Sequence, residues 1–194
     1  MKKTIITAAL VAALASAVNA ADYDNTTVSM AAESATKGIE LSTNDTSRSI
    51  SVYTLGRSLD LGAKMADNGT NRDFSLSAGK TISLFPLGPL GTYVAGNVEY
   101  NWGDTFTSAE MHFTPTAGVS ADLGVLAPFA EVSYELKSIE GDFTDINKVA
   151  PKAVFGTAIE LNASTTLTAK LTQSLNQDWK STDKEIGVGL KIKF

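Results

Sequence analysis

Cysteine is absent from the 194 residues, histidine occurs once, and arginine occurs only at positions 48, 57 and 72. Without cysteine there is no disulfide framework, and a single histidine among scattered acids offers none of the recognised metal-ligand spacings. No phosphate-binding glycine loop is present. Gly56, Gly62, Gly79, Gly96, Gly156, Gly187 and Gly189 fall inside runs that read as strands, where glycine permits curvature. Beyond residue 20 no apolar run approaches the roughly 20 residues that a spanning helix needs. Acids outnumber bases, 21 against 16, whereas a nucleic-acid partner would want a basic surface. No cofactor, metal or nucleic acid is therefore expected, and no helix with which to cross a membrane.

What is present begins with a targeting segment. Lys2 and Lys3 form a positive start, Thr4 to Ala15 an apolar stretch, and Val18-Asn19-Ala20 a small-residue cleavage site, so residues 1–20 read as a signal peptide. The mature chain would run over 21–194 with its net charge moved from −5 to −7 by loss of the two lysines.

The chain closes on Glu185-Ile186-Gly187-Val188-Gly189-Leu190-Lys191-Ile192-Lys193-Phe194. Apolar and polar residues alternate without interruption, the period of a strand with one apolar and one polar face. The same period recurs through the chain. Leu59, Leu61, Ala63 and Met65 share one face, as do Val94, Val98, Tyr100 and Trp102, and Ala130, Val132, Tyr134 and Leu136. The connections between runs fall into two alternating classes. Those after Leu84, Asp122 and Leu161 are short and rich in Pro, Gly or Asn, whereas those after Met65, Trp102, Lys137 and Leu175 are more polar. Short turns at one end and longer loops at the other are the pattern of a transmembrane barrel.

A terminal strand of this kind, ending on Phe194, resembles the closing strand of the bacterial outer-membrane β-barrel proteins of the small, porin-like type. The resemblance implies an all-β fold: a transmembrane antiparallel up-and-down barrel in the outer membrane. It also implies an assembly signal formed by Val188, Leu190, Ile192 and Phe194. The partners it implies are outer-membrane lipid, the barrel-assembly machinery and periplasmic chaperones. Absence of cysteine suits a chain that crosses an oxidising periplasm unfolded. Both termini should lie in the periplasm, which demands an even strand number. Ten strands fit best, near 27–43, 48–55, 58–66, 72–84, 92–103, 109–122, 129–138, 149–161, 165–176 and 185–194, with eight as the alternative. The first run is the least clear. Its phase shifts before Ile39, either through a bulge or through a turn at Ala35-Thr36-Lys37-Gly38. Gly56-Arg57 reads as a tight turn.

A charge at the bilayer midplane costs a few kcal/mol, so the charged residues at polar parity should line the lumen. These are Asp60, Lys64, Glu99, Glu110, His112, Asp122, Glu131, Glu135, Lys137, Lys152, Glu160, Lys170, Glu185, Lys191 and Lys193. Lys80 falls on the apolar parity and calls for a bulge or a side chain that reaches the interface. Tyr100, Trp102 and Phe113 at one end, and Phe85 and Phe194 at the other, suit the interfacial aromatic girdles.

His112 beside Glu110 invites comparison with lipid-modifying barrel enzymes, which use His with Ser and an acid. His-Phe-Thr at 112–114 does not reproduce the His/Ser motif of the lipid A deacylases, and a lumen histidine hydrogen-bonded to a carboxylate is the simpler reading. The chain is also much shorter than the omptin-type proteases. Asn25-Thr26-Thr27 and Asn162-Ala163-Ser164 read as turn chemistry. The expected function is a monomeric, non-enzymatic barrel, either a narrow channel for small neutral or cationic solutes or a structural barrel. Three arginines do not make the basic tube that acidic oligosaccharides need. The alternatives are an interaction protein, with Trp179 as loop anchor, and a lipid-modifying enzyme.

Overall fold

A computed structural model of the chain describes residues 26–44, 46–55, 59–139, 142–143 and 149–194. The expected signal peptide and the turn at Gly56-Arg57 lie outside the described residues. All regular structure is β: β1 (Thr26–Glu33), β2 (Lys37–Thr43), β3 (Arg48–Thr54), β4 (Asp60–Asp67), β5 (Arg72–Ser83), β6 (Leu90–Gly103), β7 (Glu110–Ala121), β8 (Leu126–Tyr134), β9 (Leu136–Ile139), β10 (Asp142–Phe143), β11 (Pro151–Asn162), β12 (Thr165–Leu175) and β13 (Ser181–Lys193).

Each strand pairs antiparallel with its successor from β1 to β7. β7 pairs with both β8 and β9, β8 with β11, and β11 through β12 with β13. β13 then meets β1 in parallel, from Thr26 opposite Ile186 to Glu33 opposite Lys193, and the sheet closes on itself. β8 and β9 are two halves of one stave. Their pairing register on β7 is the same on both sides of the gap, with Thr116 opposite Ser133 and Phe113 opposite Leu136. Pro115 sits between those β7 positions and has no N–H to donate, so the ladder lapses where it lies. Among the described residues β10 pairs only with β9. The wall is therefore a closed barrel of eleven staves.

The difference from ten arises in residues 26–43, where the phase shift proves to be a hairpin and not a bulge. Ser34 N–H donates to the Lys37 carbonyl at 2.8 Å, and Glu33 stands opposite Gly38. Ala32 faces Ile39 and Met30 faces Leu41, so even-numbered apolar residues meet odd-numbered ones across the turn. One extra reversal makes the first and last staves run in the same direction. Thr26 and Phe194 consequently lie at opposite ends of the barrel, where a shared rim was expected. The remaining strands match the expected runs within a few residues.

The two faces of the wall are of opposite character. Val52 is 50% exposed, Leu76 54%, Ile82 58% and Phe155 51%, all on the outer face, and among the described residues no large side chain is fully buried. The wall is also uneven in height: β1 to β4 have seven or eight residues each, whereas β5 to β7 have 12 to 14. At the longer loops, Asx turns hold the chain. Asn44, Asn68 and Asn176 each accept two backbone N–H groups through the side-chain oxygen. At the opposite rim the Asn162 side-chain oxygen accepts the N–H and the hydroxyl of Ser164, the turn chemistry expected there.

Candidate functional site: the barrel interior

Which face is inner follows from side chains that meet across an intervening strand, a reach that only a concave surface allows. Tyr53 on β3 donates its phenol to Glu33 on β1 at 3.0 Å, passing over β2. Tyr93 on β6 donates to Glu131 on β8 at 2.6 Å, passing over β7. Both crossings run over glycine. A Cβ at Gly38 would come within 2.3 Å of the Tyr53 ring, one at Gly118 within 2.4 Å of Tyr93, and one at Gly156 within 2.5 Å of Phe129. In each case the aromatic residue is the direct register partner of the glycine. Three rings thus lie flat over glycines along the inner wall, a cross-strand fit that pins register. Period-two patterning missed Tyr53, Tyr93 and Phe129. The signal was an aromatic and a glycine at inner parity, but only the register unites them. Gly156 and Gly187, read as curvature residues, make room for the side chains of Phe129 and Lys170.

On the β7–β11 side the interior carries a chain of charges. His112 Nδ1 is 2.6 Å from Glu135, and its Nε2 is 3.1 Å from Glu110. Lys137 meets Glu110 at 2.7 Å and Lys152 meets Glu135 at 2.8 Å. The run Lys137–Glu110–His112–Glu135–Lys152 ties three neighbouring staves together, and Glu99 stands opposite His112 in the β6–β7 register. Both ring nitrogens face carboxylates, so His112 has no free nitrogen to serve a hydroxyl nucleophile. Among the described residues no group of three or more His, Cys, Asp or Glu is placed to hold a metal ion.

The opposite side of the interior holds open space. Between β1, β2, β12 and β13 lies a recess of about 530 Å³ edged by Ser29, Glu40, Ser42, Thr168, Gly187 and Gly189. Small residues leave this space, because the glycines and serines alternate with the outward apolar set. Lys191 meets Glu33 at 3.2 Å at one end of the recess, and Thr27 donates to Glu185 at the other.

The remaining expected residues are distributed as follows. Lys64 is exposed and lies opposite Ser75 and Ser51. Lys170 extends over Gly187 beside the recess. Glu160 is exposed near the end of β11. Asp122 lies just past β7, which ends at Ala121, and its carboxylate accepts the Gly124 N–H within the exposed turn; alternation alone carried the strand one residue too far. Lys80 needs no bulge: pairing runs unshifted through Lys80 opposite Gly96, and its ammonium reaches Asp60 at 3.2 Å. Tyr100, Trp102 and Phe74 cluster on one outer edge, with ring centroids 5.6 and 5.8 Å apart. Phe113 is on the neighbouring strand, and Phe85 and Phe194 are exposed at the opposite end. Of the four residues of the expected assembly signal, Leu190 is 5% exposed and Phe194 82%.

No protein-family model matches the chain, and comparison with curated proteins finds no similar sequence. The functional reading rests on geometry and chemistry.

Proposed function

We propose that this chain is a bacterial outer-membrane β-barrel, exported by its N-terminal segment and working as a narrow porin-like channel for small neutral or cationic solutes. The observation that carries this reading is the inverted polarity of a closed wall. Large apolar side chains such as Leu61, Leu76, Ile82 and Phe155 face outward at about half exposure or more, while ion pairs and hydroxyls face in. In water such a surface would be an aggregation hazard; in a bilayer it is the solvated face. Among the described residues the wall closes through the β1–β13 pairing, with only β10 left at an edge beyond it, and hydrocarbon demands such closure. The aromatic cluster at Tyr100 and Trp102 on one edge, with Phe85 and Phe194 at the other, suits the two interfaces.

Eleven staves fall between the roughly eight that side chains fill and the 16 or more that leave a wide aqueous channel. The recess beside β1 and β13 is then the path, with the Tyr53 ring on its lining and the His112 network elsewhere in the interior. Glu33, Glu40 and Glu185 outnumber Lys170 and Lys191 along the recess, which favours cations over anions. The test is reconstitution in planar bilayers. Small, cation-preferring steps are expected, and Ser29→Trp, which fills the recess, should reduce them severalfold while the folded band on an unboiled gel persists. Silence at high protein input would refute the channel and leave a structural barrel.

A surface-interaction role has one specific observation in its favour. Trp179 is 58% exposed in the loop before β13 with a backbone φ of 61°, a strained arrangement for an aromatic residue. Loss of phage or host-surface binding on replacement of Trp179 would favour that role.

A further inference from the structure

The outer face of the wall is not uniformly convex. Between the outward residues of β1 to β5 lies a groove of about 590 Å³, within the range of about 300–1,000 Å³ common for small-molecule sites. Its floor and sides are Ala32, Ile39, Val52, Ala63 and Leu76, with the exposed ring of Phe194 at one edge. The groove exists because alanines stand among the larger aliphatics of short neighbouring strands. It opens along the lower wall, where β1 to β4 have only seven or eight residues each.

One cation closes this apolar groove at its rim. Lys37 shares outward parity with Ile39 and Leu41, is exposed, and lines the groove where β2 begins. Among the described residues no carboxylate lies in ion-pair range of Lys37. The one acid at outward parity on these five strands is Asp67, which is at the opposite rim and meets Arg72 at 3.1 Å. An apolar slot ending at a lone rim cation matches an acyl chain topped by a phosphate. A second copy of this surface would offer another Lys37 and no acid. The short wall gives the ligand a further reason to sit there, since a strand wall shorter than the hydrocarbon thickness favours lipid that adapts to the mismatch.

We infer that this groove is a specific site for one glycerophospholipid of the periplasmic leaflet, with an acyl chain between Ala32 and Ala63 and the phosphate at Lys37. The inference rests on the outer-membrane reading above.

The experiment uses the full mature chain folded in mild detergent, with native mass spectrometry after addition of phosphatidylglycerol. One retained lipid per barrel is expected. Lys37→Glu should lower the retained fraction at least fivefold, Ala63→Phe should abolish it, and Ala169→Phe on β12, two staves beyond β1, should leave it unchanged. Each variant is first checked for the folded band on an unboiled gel. Retention that is equal in all variants overturns the site. So does a dimer that Ala63→Phe dissolves, which would assign the groove to a second copy. Failure of the wild type to fold into detergent or vesicles overturns the membrane reading, and this inference with it.

Discussion

The Tyr93 hydroxyl reaches the Glu131 carboxylate at 2.6 Å across an entire strand, and it does so because Gly118 beneath the ring has no side chain. Substitution at the glycine should therefore act on the tyrosine. Gly118→Val places methyl groups where the ring lies and should destabilise the barrel by about 1–3 kcal/mol, the usual cost of overpacking. Combining it with Tyr93→Ala should cost less than the sum of the two single changes, because the clash disappears with the ring. Urea unfolding in detergent micelles, read by gel mobility, measures both. Strict additivity would show that ring and glycine are not coupled.

The His112 network makes a different claim. Glu135 alone links Lys152 to His112, at 2.8 and 2.6 Å, yet both partners retain some solvent. Glu135→Gln should cost only about 1 kcal/mol, as expected for partly exposed ion pairs. The cation preference of single-channel currents should be unchanged, because the path lies beside β1 and β13. A fall in that preference would place the network in the conducting path.

The parallel seam invites a covalent test that the absence of cysteine keeps clean. Met30 and Leu190 are register partners between β1 and β13, whereas Leu41 lies one stave further away. Met30→Cys with Leu190→Cys should oxidise to a disulfide in the folded barrel, and Leu41→Cys with Leu190→Cys should not, since the bridge requires Cα atoms about 4.4–6.8 Å apart. The reverse outcome would mean that β2 meets β13 directly in a ten-stave barrel.

Trp179 occupies the left-handed region at a φ of 61°, with its N–H donated to the Asn176 carbonyl. Trp179→Gly should relieve that conformation and raise stability by about 1 kcal/mol, because glycine adopts it without a Cβ penalty. A lower unfolding midpoint would mean that the indole makes compensating contacts.

Much of the wall was legible in the sequence because a strand advertises itself locally. Ile186 to Phe194 alternates by residue type alone, as do the runs through Leu61, Val98 and Val132, and the Asn-rich loops carry their own turn chemistry. The His112–Glu110 proximity was equally local, two residues apart on one strand. The strand that ends at Ala121 was carried on to Asp122 because alternation does not mark where a strand stops. Tyr53, Tyr93 and Phe129 escaped notice because their meaning lies in residues on other strands.

By itself the sequence determined the period of the strands, the alternation of polar and apolar faces, and the positions of nearly all reversals. These follow from backbone geometry and side-chain polarity over a few residues. The tertiary structure decided what depends on register and closure: that residues 26–43 form a hairpin, that β1 meets β13 in parallel, and that Glu135 joins His112 to Lys152. Those outcomes depend on which strands become neighbours, and the period-two pattern of each strand is the same whichever neighbour it takes.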